Sequence, residues 1–286
     1  MPRIFCIYFD KRPVWSSDCV VPIQAGRART GVALDMLGDD TGDNISVENA
    51  RYGEMTAWYW VWKNYLPEHP DVDYIGFSHY RRFLDFAGLV SGKKRRTTYA
   101  RFRKTFERNY REAEISAVVE GFDVVMRRVK ACSDGSPRAE FRLTHPANVD
   151  DWNRFERIVC AREDATARSA VEAALSSPMM AQELQFVMRR AVFESFMEWA
   201  FGCCRACERE RPWGEPTEGP RARIPAFLVE RFFMAWLAVQ KLRPDFRVKE
   251  LAMIKLSGRP WWYRLVKPFL MFVPKAAEDR FCEGFR

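Results

Sequence analysis

No stretch of this sequence approaches the roughly 20 uninterrupted apolar residues that a membrane-spanning helix needs. The best candidate, FLVERFFMAWLAV, is split by Glu230 and Arg231. The opening MPRIFCIYFDKRP has an apolar run too short for a secretory signal and no small-residue cleavage site. Those two absences predict a cytoplasmic protein. Cysteine is present, but its one cluster, CCRAC (Cys203, Cys204, Cys207), has no second Cys or His pair nearby to complete a structural zinc site. Reduced, buried thiols are the expectation, because a disulfide framework does not suit this compartment. There are only three histidines, no internal repeat, no long linker, and no zinc-finger, RNP-type or KH-type motif.

What is present suits a folded globule. The chain has 286 residues, 48% hydrophobic and 14% aromatic, enough for one large or two small cores. Its net charge of +8 is local: Lys93 to Arg111 holds nine basic residues and one acid, and the remainder is formally neutral. Within that segment Tyr99, Phe102, Phe106 and Tyr110 fall three or four residues apart, which predicts an amphipathic helix with an aromatic face.

RIFCIYF, YIGFSHY, FDVVM and LQFVM read as strands. Helical spacing covers Met55, Trp58, Tyr59 and Trp62, with Ser46 as the expected N-cap and Pro67 and Pro70 as the stop. DDWNRFERIVC, ATARSAVEAAL, RRAVFESFMEWAFGCC and AFLVERFFMAWLAVQKL also read as helices. Strands alternating with helices predict an α/β domain around a mostly parallel sheet. Residues 1–255 are assigned to that domain. Residues 256–286, rich in Trp, Phe, Arg and Lys, form a tail whose composition suits either a membrane interface or an arm packed on the domain.

Two constellations carry candidate chemistry. LGDDTGDNIS packs Asp39, Asp40 and Asp43 between a strand and a helix start, where α/β sheets open their ligand crevice. Such carboxylates can hold Mg²⁺ or Mn²⁺ with waters and substrate phosphates, or one can act as a general base; an Asx-type turn is the structural alternative. SHYRR, directly after a strand, offers His79, Tyr80, Arg81 and Arg82 to a diphosphate, for which the guanidinium fork is suited. Glu230, a carboxylate in an apolar helix, either pairs with Arg231 or faces a site.

LGDDTGDNIS, followed by Tyr52 to Tyr65 and by DYIGFSHYRRF, resembles the start of a bacterial family of capsular-polysaccharide and exopolysaccharide glycosyltransferases, long filed as a domain of unknown function. Weaker similarity runs through Leu184 to Phe201 and Arg223 to Leu237. The resemblance implies a GT-A-like, nucleotide-sugar-binding α/β fold and transfer of a sugar from a nucleotide-diphosphate donor to a capsular, exopolysaccharide or O-antigen glycan. Some members resemble galactofuranosyltransferases, so UDP-galactofuranose and other UDP-hexoses are donors to consider. Asp39, Asp40, Asp43, Asn44, His79, Tyr80, Arg81, Arg82, Glu230 and Arg231 match the family's blocks; for glycosyl transfer Asp40, Asp43 and, as the alternative base, Glu230 are the catalytic candidates, Asp39, Asn44, His79, Tyr80, Arg81, Arg82 and Arg231 the substrate-binding ones, and Asp40 and Asp43 the ligands of a metal if one is used. The Asp-rich and Arg-rich turns are alternative ways to neutralise a diphosphate, so metal independence stays open. LQFVM departs from the family's NMFIM, placing Gln185 at or near a position of donor or acceptor contact.

The implied acceptor is a lipid-linked glycan, which would put the protein peripherally on the inner face of the cytoplasmic membrane, held to anionic lipid by its basic helix and tail. A noncatalytic role in glycan assembly is the first alternative. Nucleic-acid binding through the basic helix is the weaker one, since the acidic turn would repel that ligand.

Overall fold

A computed structural model describes residues 1–90, 94–213 and 223–256. The run from Ile4 to Tyr8 is wholly buried in β1 (Pro2–Tyr8), as a strand covered on both faces requires. The other strands are β2 (Val20–Gln24), β3 (Leu37–Gly38), β4 (Tyr74–His79), β5 (Arg82–Leu84), β6 (Lys94–Thr97), β7 (Val124–Arg127), β8 (Lys130–Ala131), β9 (Met179–Met180), β10 (Phe186–Arg189), β11 (Val248–Leu251) and β12 (Met253–Leu256).

The main sheet runs β11-β7-β10-β4-β1-β2-β3, parallel except for β10, which is antiparallel to both neighbours. β10 enters the sheet from the edge where β4 ends, so Phe186 sits beside Phe77 and Arg189 beside Tyr74. The mostly parallel α/β architecture is therefore the one expected, with LQFVM reversed inside it. A smaller extension joins β5, β12 and β6. Leu256 still belongs to it; the proposed tail from 257 onward, like Lys93, lies outside the described residues.

Apolar side chains fill both faces. On one, helices Val149–Cys160, Arg190–Glu210 and Ile224–Gln240 cover Phe77, Phe186 and Met188. CCRAC lies inside the second of these, its three thiols buried and pushed upward in pKa by that burial, Cys203 to about 12 and Cys207 to about 11. They are protonated packing groups. On the other face, helix Tyr99–Asn109 is capped by Thr98 and buries Phe102 and Phe106 against Trp15 and Phe83. Its aromatic stripe is thus core and is not free to stack on bases, while Arg101, Arg103, Lys104 and Arg108 point outward.

The helix expected from Ser46 is broken. A 3₁₀ turn (Ser46–Glu48), a helical turn (Asn49–Tyr52), a reversal at Gly53 with φ 54°, the helix Met55–Trp60 and a π turn (Val61–Tyr65) follow one another. Ser46 does not cap: its hydroxyl donates to Asp39 Oδ1 and accepts from the Ala28 N–H. Among the described residues no helix is long and apolar enough to cross a membrane.

Candidate active site

β1 lies between β4 and β2 and is parallel to both, so the chain leaves it toward opposite sides and opens a crevice at the strands' C-terminal ends. There, just past β1 at Phe9 and at the end of β4, lies a cavity of about 410 Å³, within the range of small-ligand sites. His79 closes β4 and pairs with Arg82 at the start of β5, so the tight turn presents Arg81 and Arg82 to the cavity. Glu54, at the N-terminus of helix Met55–Trp60, forms another wall. Glu183, Arg223 and Glu230 complete the charged lining with Glu140.

Glu183 organises the cations. Its carboxylate meets Arg82 at 3.0 Å, Lys255 at 2.9 Å and the deeply buried Arg127 at 3.6 Å. Its backbone has φ 55°, a left-handed conformation unfavourable for a residue with a side chain, and its N–H donates to Glu230 Oε1 at 2.7 Å. Burial pushes Glu54 up to about 7, opposed by Arg82 and Arg223 and reinforced by Glu230 and Glu183. Burial also drives His79 down to about 2, helped by the positive charge of Arg82 and Arg81. His79 is therefore a neutral imidazole; it offers a hydrogen bond, not a positive charge, and its buried Nδ1 has no partner among the described residues. The arrangement can receive an anionic leaving group at its arginines and a proton at a carboxylate poised near neutrality.

The acidic turn is placed elsewhere: none of Asp39, Asp40, Asp43 and Asn44 lines this cavity. Asp39 is fully buried, accepting from the Gly26 and Arg27 N–H groups and from Ser46, so both oxygens are committed to holding neighbouring loops. Asp43 accepts from the Tyr59 hydroxyl at 3.0 Å, and Asn64 grips its backbone on both sides. Asn44 shapes the turn through Gly42 and Ser46. Asp40 lies 3.9 Å from Arg27, and its buried Oδ1 has no hydrogen-bond partner among the described residues. Among the described residues no three metal-ligating side chains come together. A divalent ion at Asp40 and Asp43 would have to rely on water and substrate oxygens, a poor fit to carboxylates already facing an arginine and a tyrosine.

Tyr80 is buried against Tyr8 and His79 and does not line the cavity. Arg231 is buried too; it pairs with Glu140 at 3.2 Å and lies 3.6 Å from Glu230. Glu230 is thus held toward both partners its sequence context suggested. Gln185 is 1% exposed and does not reach the cavity, whose wall is formed by the preceding Gln182 to Leu184. Sequence reasoning missed Glu54, Glu140, Glu183 and Arg223. Glu54 carried the signal that singled out Glu230, a carboxylate set beside a run of buried aromatics.

Comparison with solved structures finds the fold in one titled "WbbM bifunctional glycosytransferase apo structure", with a TM-score of 0.79 and 24% identity. The match covers 90% of this chain and 45% of that one, so this chain spans less than half of that protein. Comparison with curated proteins finds no match. A family model matches residues 3–241, which include all but the first residue of β1, the acidic turn, the SHYRR turn and all four of the cavity's glutamates. By that match the chain belongs to the family described as a domain of unknown function (DUF4422).

Proposed function

We propose that the protein is a glycosyltransferase that moves a sugar from a nucleotide-diphosphate donor, a UDP-hexose such as UDP-galactofuranose, to a growing capsular, exopolysaccharide or O-antigen glycan. One observation carries this reading: at the sheet's switch point, Arg81, Arg82 and Arg223 share one cavity with Glu54 and Glu230. Glycosyl transfer needs that polarity, because negative charge develops on the departing diphosphate while a hydroxyl gives up its proton. On this reading the arginines neutralise the diphosphate, neutral His79 donates to one of its oxygens, and Glu230, steadied by the Glu183 N–H, accepts from sugar hydroxyls. The acidic turn, outside this cavity, holds the neighbouring loops through Asp39 and Asp43.

Calorimetry against UDP, GDP and CMP, with Mg²⁺, Mn²⁺ or EDTA, tests the reading. Selective binding of one nucleoside diphosphate that survives EDTA is the expected result. Loss of that binding in EDTA would return the diphosphate to a metal at Asp40 and Asp43, and no nucleotide binding under any condition would overturn the proposal.

The acceptor we propose is a lipid-linked glycan, met at an anionic membrane surface through the outward Arg101, Arg103, Lys104 and Arg108. Each such charge near the surface contributes about 1 kcal/mol. Vesicles containing anionic lipid should therefore retain the protein at low salt and release it at high salt; equal retention on neutral vesicles would refute this attachment.

A further inference from the structure

We infer that Glu54 is the acid–base residue of the cavity, the carboxylate that takes the proton of the acceptor hydroxyl; the inference rests on the transferase reading and assigns a group that reading leaves open. Four carboxylates line the cavity. Three are held. Glu140 is paired with Arg231 and accepts from Gln182. Glu183 is surrounded by Arg82, Arg127 and Lys255. Glu230 accepts from the Glu183 N–H and lies against Arg231. Among the described residues no hydrogen bond or ion pair ties the Glu54 carboxylate, which leaves its oxygens for a ligand.

The charges around it also fit. Arg82 faces Glu54 from β5, Arg223 from the start of helix Ile224–Gln240, Glu230 from that helix, and Glu183 from the loop before β10. The arginines alone would keep Glu54 ionised, but burial and the two glutamates outweigh them, so it exchanges its proton near pH 7, where a general base is most effective. Its placement at the first turn of a short helix with a fully buried body fixes the carboxylate at the cavity wall.

The step balances. The acceptor oxygen forms a bond to the anomeric carbon as the bond from that carbon to the diphosphate oxygen breaks. The hydroxyl proton passes to Glu54, and the bonding pair leaves on the diphosphate, received by Arg81, Arg82 and Arg223. A single displacement of this kind inverts the anomeric configuration. Glu54 returns its proton to solvent after release.

Glu54→Gln, with Glu54→Asp as the variant that keeps a titrating group, tests the assignment. UDP release from UDP-glucose, UDP-galactose and UDP-galactofuranose is followed with a lipid-linked oligosaccharide or water as acceptor. Glu54→Gln should lower turnover at least about 100-fold. Its UDP affinity should stay within about threefold of wild type. Wild-type kcat should climb through about pH 7, and that limb should persist in Glu54→Asp and vanish in Glu54→Gln.

A folded pKa above the ordinary carboxylate value means that the stability contributed by the protonated group is lost as pH rises through about 7. The Tm of Glu54→Gln should therefore exceed that of wild type at about pH 8, with the gap closing toward about pH 5. Turnover retained by Glu54→Gln overturns the Glu54 assignment alone. Loss of UDP affinity and Tm together with turnover also overturns it, by making the residue structural. No turnover by wild type with any donor overturns the transferase reading and the assignment with it.

Discussion

Arg82→Ala should weaken the binding of a nucleoside diphosphate by about 100-fold or more, the loss expected when one partner of a desolvated charge contact is truncated. Arg82 is the cation with the most consequences in the cavity. It meets Glu183 at 3.0 Å, lowers the proton affinity of His79, and is the strongest influence keeping Glu54 from an even higher pKa. Its removal should therefore act three ways: a diphosphate loses a fork of donors, Glu54 holds its proton to higher pH, and His79 becomes easier to protonate. The alkaline displacement of the pH–rate limb distinguishes this from a simple loss of affinity, and Arg82→Lys should restore the charge but not the paired geometry. Calorimetric titration with UDP, with kcat followed against pH, reads both effects. A UDP affinity within about threefold of wild type would remove the SHYRR turn from the donor site.

Much of the fold was legible because it is written in local apolar patterns. RIFCIYF, YIGFSHY, FDVVM and LQFVM each contain a continuous buried run, and the structure makes a strand of the main sheet from each. The helices Val149–Cys160, Ala165–Ser176, Arg190–Glu210 and Ile224–Gln240 follow their periodicity. β5, β6 and β12 were not legible. KRRT has no apolar residue at all, and its strand state comes from backbone pairing with β12, more than 150 residues later in the chain.

The site divides in the same way. The SHYRR turn could be read because it ends a strand. Glu183 could not: its three cations come from Arg82, Arg127 and Lys255, which no sequence spacing relates, and a left-handed backbone at a glutamate leaves no trace in the sequence. The acidic turn was legible as a turn, with Gly42 at φ 60° where a Cβ would lie 2.0 Å from Asn64 Oδ1. What its carboxylates do depends on Gly26, Ser46 and Tyr59, brought to them only by folding.

The second large effect expected is on stability, at Arg231. Its side chain is 6% exposed and that of its partner Glu140 8%, and the two meet at 3.2 Å. The guanidinium also lies over the rings of Phe141 and Phe227 and donates to the Phe227 carbonyl. Arg231→Met keeps the apolar stem but leaves Glu140 buried beside an uncharged neighbour, a change that costs about 3–5 kcal/mol in such pairs. Glu140→Gln added to Arg231→Met removes that stranded charge while Gln182 keeps an acceptor, so the double variant should recover most of the loss. The ion pair's own net worth is small once its desolvation is counted, which is why the double variant and not the single one measures it. Urea unfolding reads the difference as a shift in midpoint at unchanged slope. If Arg231→Met costs less than about 1 kcal/mol, the pair is not desolvated as described. Glu230 is the functional witness: with Arg231 gone its remaining partner among the described residues is the Glu183 N–H, and a double variant that regains stability but not turnover would place Arg231 among the groups that position Glu230.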